Sequence, residues 1–220
     1  MSELDIDELD RRIAKFAAKA TDHERAGGAS LETAMTVVVS AALGLVASVM
    51  LVLSELAYVQ NPAESLICDV NPLIGCSTWF TAWEGHLLFG VPNALWGTMF
   101  FAGMLALGLV LAFGGRLHRA LWLGALAGTS LGILWVVWFG YQSYIAHGSL
   151  CPFCIVVWIA TIPLFVTLLG RSAQAGHTGQ STTAFGSAVV RNRWLIVGIV
   201  YLLLVVFTVV WFWDSWALVF

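Results

Sequence analysis

Charge is what this sequence has least of. Of its 220 residues 10% are Asp, Glu, Lys or Arg, while 60% are hydrophobic and the mean hydropathy is +0.87. That balance excludes an ordinary soluble protein and leaves little room for a separate soluble domain. The scarcity is also uneven. Lys and Arg are absent from about 35–59, 91–113, 120–145, 151–170 and 194–213, and each stretch is near or above the roughly 20 residues that cross a bilayer as a helix. They are absent too from the connection at about 60–90, from 146–150 and from the C-terminal tail. All ten lie elsewhere: Arg11, Arg12, Lys15, Lys19 and Arg25 before the first stretch, Arg116 and Arg119 between the second and third, and Arg171, Arg191 and Arg193 between the fourth and fifth. The positive-inside rule then puts the N-terminus in the cytoplasm and the C-terminus outside a plasma membrane crossed several times. The acidic, polar first 34 residues do not form a cleavable signal peptide, so the first apolar stretch is expected to serve as the membrane address. No internal repeat is evident, and no nucleic-acid partner is expected.

The expected fold is therefore all-α. Residues 1–34 form a cytoplasmic segment, 35–170 a four-helix membrane core, 171–193 a cytoplasmic loop, and 194–220 a fifth, peripheral helix with a short outer tail. Ile6, Leu9, Ile13, Phe16 and Ala20 recur at helical spacing, which predicts an amphipathic helix over 3–20. Residues 21–30, with Gly27-Gly28, read as a linker, and the Gly/Ser/Thr/Ala-rich stretch 172–187 as a mobile loop. The fifth stretch carries no polar site residue. Glu55, near the end of the first helix, is an acid in the membrane and so a functional candidate, but its nearness to the edge favours a side chain that reaches water.

Cysteine is scarce as well, and all four copies fall on the outer side, where disulfides persist. Cys68 and Cys76 lie in the long loop with Asn71-Pro72 and Gly75 between them, a turn-rich span that folds back readily into a disulfide. Cys151-Pro152-Phe153-Cys154 opens the fourth apolar run. Pro152 suits a first helical turn, which puts Cys151 at the helix mouth and Cys154 about one turn further in. A thiol at a helix start feels the dipole that favours thiolate, the nucleophile of disulfide exchange. Four cysteines allow three pairings. A staple would keep one of them. A relay would use several in turn through mixed disulfides. Depth assigns the roles: Cys154 faces an acceptor in the membrane, Cys151 exchanges with Cys76, and Cys68 meets a protein outside. Zinc is disfavoured because the short knuckle spacing occurs once and the site would lie half in lipid, so no metal is expected.

The order Cys68-x7-Cys76, then Pro92-Asn93 at the head of the second span, then Cys151-x-x-Cys154, resembles the vitamin K epoxide reductase family over about residues 35–170, with Cys-Asp-Val at 68–70 adding to the match. The resemblance implies a four-helix transmembrane bundle around a quinone site, capped by an extracytoplasmic cysteine loop. The catalytic residues would be Cys68, Cys76, Cys151 and Cys154: the loop pair passes electrons to the CxxC, and Cys154 reduces a menaquinone- or ubiquinone-type acceptor. Asn93 matches the family asparagine that hydrogen-bonds a quinone carbonyl, and Phe80, Trp96 and Trp158 are the expected ring contacts. The implied activity is reoxidation of a thioredoxin-fold (DsbA-like) partner. Because this chain continues into a fifth helix instead of a fused thioredoxin-like domain, that partner is expected to be a separate protein.

Two positions depart from the family pattern. Ala82 stands where a serine or threonine is usual, with Thr81 beside it, and Trp158 stands where vertebrate members carry a tyrosine. They bear on quinone contacts and on epoxide reduction and leave the thiol relay untouched. A second quinone-linked oxidase family with four essential cysteines has its CxxC in the first outer loop, the reverse of the order here. From another class, the rival is a non-catalytic, disulfide-stapled binding or assembly protein. His86 and His147 read as surface histidines near the outer loops, either able to pass protons to a quinone. Asp69 reads as a loop-solvating charge that would also raise its neighbouring thiol's pKa.

Overall fold

The computed structural model describes residues 20–63, 66–71 and 73–216. The amphipathic helix expected over 3–20 lies outside them apart from Ala20. Among the described residues five helices are long and apolar enough to cross a membrane. Helix α1 runs Leu31–Gln60, and its first turn is capped by the Ser30 hydroxyl, which accepts from Thr33 N. Helix α2, Asn93–Ala112, follows Pro92. Helix α3, Arg119–Tyr141, starts where His118 Nδ1 accepts from Ala120 N and continues into a π-helical turn, Gln142–His147. Helix α4 is Pro152–Gln174, with Cys151 as its N-cap, and α5 is Thr183–Trp211.

Helix α1 packs on α2 and α4, and α4 also packs on α3 and α5. Small residues allow these approaches, as expected where lipid removes most of the hydrophobic drive for association. A Cβ on Gly44 would lie 2.4 Å from the Phe101 ring, and one on Gly170 2.9 Å from Val189. Val37, Phe101, Met104, Trp122, Leu164 and Leu168 form one core, and a second surrounds the cysteines at the opposite end.

Helix α4 contains a proline, Pro163, which has no N–H to give the carbonyl of Ile159 one turn back. The Tyr201 hydroxyl of α5 donates to that carbonyl at 2.6 Å. Helix α5 is peripheral as expected, with Leu202, Leu203, Val205 and Val210 exposed to the lipid side. Its polar side chains nevertheless fasten it. Thr208 Oγ1 lies 2.7 Å from the Tyr144 hydroxyl, and Trp211 Nε1 donates to the Tyr144 carbonyl at 3.0 Å.

The basic end departs from expectation in two places. Helix α5 begins at Thr183 rather than near 194, and α4 runs to Gln174, so half of the loop expected over 172–187 is α-helical, with a 3₁₀ turn at Gln180–Thr182 between. Arg193 is the reason: it is buried, ion-paired with Glu32 of α1 and 3.5 Å from Thr33 Oγ1. A charge that finds a partner can remain within a helix. Residues 21–30 are likewise more than a linker. Thr21 and Glu24 form a reciprocal capping box around the turn Asp22–Arg25. Buried Arg171 donates to the carbonyls of Glu24 and Gly28 and lies over the Trp122 ring at 5.2 Å. Trp122 Nε1 and Leu117 N both donate to the Gly27 carbonyl.

Candidate functional site

The cysteine loop is built by side-chain capping and then docked by backbone. Asn71 Oδ1 accepts from Leu73 N and Ile74 N, which closes a tight turn. Asp69 Oδ1 accepts from Cys76 N at 2.6 Å and Ser77 N at 3.1 Å, so it caps the short helix Ser77–Thr81. Asp69 is thus a structural cap, not a charge that merely solvates the loop. Beyond the turn, Leu150 N donates to the Leu73 carbonyl at 2.8 Å and Gly75 N to the Leu150 carbonyl at 2.9 Å. This parallel bridge between Ile74 and Leu150 places the loop against the residue that precedes the CxxC.

The register of that bridge brings the sulfurs together. Cys68 and Cys76 form a disulfide, Cys151 and Cys154 are free thiols, and Cys76 Sγ lies 3.7 Å from Cys151 Sγ. Cys151 is 2% exposed and Cys76 fully buried, so water is excluded where the two pairs meet. Cys154 N donates to Cys151 Sγ at 3.3 Å, as an N-cap geometry requires. The Cys154 thiol beside it holds the Cys151 thiol below its ordinary range, and the helix-start N–H groups of Cys154 and Phe153 assist. Burial and the charge of Asp69 oppose the effect. Cys76 and Cys151, the two sulfurs that the sequence expects to exchange, are therefore in contact.

Behind Cys154 the bundle forms a half-open cavity of about 370 Å³, within the range of small-molecule sites. Its walls come from α1, α2, α3, α4 and the Ser77–Gly85 segment. Asn93, Phe80, Trp96, Trp158 and Cys154 all line it, as do Trp79, Phe101, Trp135 and Phe139, which the sequence reading did not single out. Polar lining is limited to Ser48, Glu55, Asn93, Cys154 and Thr161, apart from the indole N–H groups. Asn93 Nδ2 donates to the Glu84 carbonyl, which fixes the amide's orientation, and Oδ1 is buried with no protein partner. One more amide proton and one bare acceptor remain for a bound molecule. Ala82 and Thr81 are not part of the lining.

The two outer histidines are not free surface groups. His86 Nε2 lies 2.7 Å from Glu55 Oε1, and the Glu55 side chain is 13% exposed and lines the cavity. The expectation of a water-reaching Glu55 is therefore corrected: the 3₁₀ turn Trp83–His86 folds over it. His147 lies against Trp79 with the rings tilted by 59° and is 3.4 Å from Glu84 Oε1, within ion-pair range but off hydrogen-bond geometry, while Gln142 Nε2 reaches the same oxygen at 3.5 Å. No spacing rule connects residues 31 or 63 positions apart; only the unexplained membrane acid hinted at either pair.

A search among curated proteins finds no match to this chain. The family model for the vitamin K epoxide reductase family matches residues 35–169, from the first turns of α1 almost to the end of α4. That stretch holds both cysteine pairs, Asn93 and the whole cavity wall, and it leaves α5 outside. On this match the chain belongs to the vitamin K epoxide reductase family, and with five membrane-length helices it is a multi-pass membrane redox enzyme.

Proposed function

We propose that this protein moves two electrons from a reduced extracytoplasmic thioredoxin-fold protein to a membrane quinone. Cys68–Cys76 accepts them, and Cys151–Cys154 passes them on. The client dithiol reduces the loop disulfide. The Cys76 thiolate then attacks Cys151 of the oxidised CxxC, forming a mixed disulfide and releasing Cys154. Cys68 attacks Cys76, which reforms the loop disulfide and frees Cys151. The described arrangement, loop oxidised and CxxC reduced, corresponds to the end of that exchange. The observation that carries the reading is the 3.7 Å approach of Cys76 and Cys151 beside a cavity that Cys154 lines.

The cavity suits a quinone head. It is flat-walled by aromatic rings, and Asn93 keeps an amide proton for a carbonyl and an acceptor for a hydroxyl. When bound, the quinone accepts the electron pair that the CxxC sulfurs release as their bond closes. Trp79, Phe80, Trp96 and Trp158 surround the space beside Cys154 with apolar ring surface, which favours an apolar ring over water there. The direction is favourable, because strong thiol oxidants have potentials near about −120 mV and each ~30 mV of further drop contributes about 1.4 kcal/mol for two electrons. Among the described residues the arginines gather at one end of the bundle and the cysteines at the other, which supports a cytoplasmic N-terminus and outer cysteine loops.

The test is a reconstitution in phospholipid nanodiscs with a reduced thioredoxin-fold protein and a short-chain quinone, followed by quinone absorbance and partner thiol content. Quinone consumed should equal disulfide formed in the partner. Cys151→Ser and Cys154→Ser should abolish turnover, and Cys68→Ser and Cys76→Ser should abolish it with the protein partner. Single serine variants that lose the fold, with no turnover in the wild type, would instead make the cysteines a structural staple.

A further inference from the structure

Quinone reduction by a dithiol that shares one proton is one proton short. The Cys151–Cys154 pair reacts through a thiolate, the nucleophilic form of a thiol, so it enters the step as one thiol and one thiolate. Closing their S–S bond releases two electrons and one proton, whereas a quinone becomes a hydroquinone by taking two of each. Atoms and charge balance when one further proton arrives at the cavity. A cavity lined almost wholly by apolar side chains conducts no protons of its own, so a titratable side chain on its wall must bring one in.

Resting on the quinone reading above, we propose that Glu55 delivers this proton and that His86 recharges it from the outer aqueous phase. Among the cavity-lining residues Glu55 and Cys154 are the ionisable ones, and Cys154 is already committed to the disulfide. His86 bonds Glu55 at 2.7 Å. The exposures rise along the path: 13% for the Glu55 side chain and 29% for that of His86. A carboxyl on the cavity wall, an imidazole behind it and water behind that make a two-step relay of the kind histidine suits. Among the described residues the other titratable groups at this end are Tyr58 on α1, Asp69 and the Glu84–His147 pair in and around the outer loop, Tyr141 and Tyr144 at the end of α3, Cys151 and Cys154 at the start of α4, and Asp214 beyond α5, and α2 presents none. The Glu84–His147 pair lies outside the cavity lining and joins the 3₁₀ turn to the end of α3. The competing role for Glu55 and His86 is a tether that merely holds the 3₁₀ turn on α1.

Stopped-flow mixing of dithiothreitol-reduced protein in nanodiscs with a short-chain quinone, between about pH 5.5 and 8.5, separates the two. Glu55→Gln is expected to slow quinone reduction by about 100-fold. Quinone binding, read from tryptophan quenching, and the thermal midpoint should stay at wild-type values. His86→Gln should reduce quinone normally at the acid end and fall behind as pH rises, and Glu55→Asp should recover part of the rate. Should Glu55→Gln not fold, the pH profiles of Glu55→Asp and His86→Gln decide the matter. The proposal is overturned if Glu55→Gln matches the wild type throughout. It is equally overturned if rate, binding and thermal midpoint fall together, the mark of a tether. A wild-type protein that binds quinone without ever reducing it overturns the functional reading as well, an outcome distinct from either.

Discussion

At the scale of single residues, the reactive pair depends on what each sulfur can receive from its neighbour. Cys151 takes a hydrogen bond from the Cys154 backbone and is held below the ordinary thiol range first by the Cys154 side chain. Removing that side-chain donor raises the Cys151 pKa, so the thiolate forms at higher pH. In Cys154→Ala the pH midpoint for trapping the Cys76–Cys151 mixed disulfide should therefore lie above that in Cys154→Ser, whose hydroxyl still donates. Alkylation-quenched gels across pH would show it, and equal midpoints would refute the hydrogen-bond account. Residues of this kind were legible in the sequence because a CxxC with proline after its first cysteine states both the chemistry and the helix start. Asn93, Phe80, Trp96 and Trp158 were legible from resemblance and do line the cavity. Glu55 was visible only as an anomaly. What it pairs with is set by a 3₁₀ turn whose fold over α1 leaves no periodic trace.

At the scale of elements, hydropathy recovered all five spans and placed most ends within a few residues, because bilayer-length apolar runs have few alternatives. It failed where a charge belongs to a helix. Arg193 and Arg171 look like loop residues until Glu32 and the Glu24 and Gly28 carbonyls are seen beside them. The π-helical turn after α3 had no local signal either. Pro163 did carry one: a proline inside an apolar span frees a carbonyl that some donor must meet. The Tyr201 bond implies that Tyr201→Phe loosens α5 from α4 by about 0.6–2 kcal/mol, measured by denaturant unfolding in mild detergent. No effect would mean that lipid or water satisfies Ile159 equally well. The basic end also carries a pH dependence. His177 is held below its ordinary pKa by burial first and then by Arg171 and Arg119. Folded protein therefore binds this proton less readily than unfolded chain. Stability is full above about pH 6.5 and declines as pH falls below it toward the folded pKa. His177→Gln should flatten that decline in thermal melts, and an unchanged acid limb would place its cause elsewhere.

At the scale of the whole molecule, two cysteine pairs meet at one seam. The loop pair and the CxxC come from separate segments that share one buried cluster, and among the described residues the Ile74–Leu150 bridge is the backbone pairing that joins the loop to the helix start. Neither cysteine motif specifies that seam. A loop of this length could dock in several registers, which explains why sequence named the partners but not the device that joins them. On the proposed relay this seam has to open, since Cys68 is 2% exposed while the loop is docked, and its two backbone hydrogen bonds contribute only about 0.5–1.5 kcal/mol each. Leu150→Pro deletes the N–H that donates to the Leu73 carbonyl, leaves both cysteine pairs intact, and should disfavour docking by about 1–3 kcal/mol. That corresponds to a 5- to 150-fold drop in the docked population. Electron transfer from a protein partner should fall by a similar factor, while quinone reduction by dithiothreitol acting directly on Cys151–Cys154 should persist. If both rates fall together, the substitution has damaged the bundle. If neither falls, the 3.7 Å approach is held by side-chain packing around Trp79, not by the backbone seam.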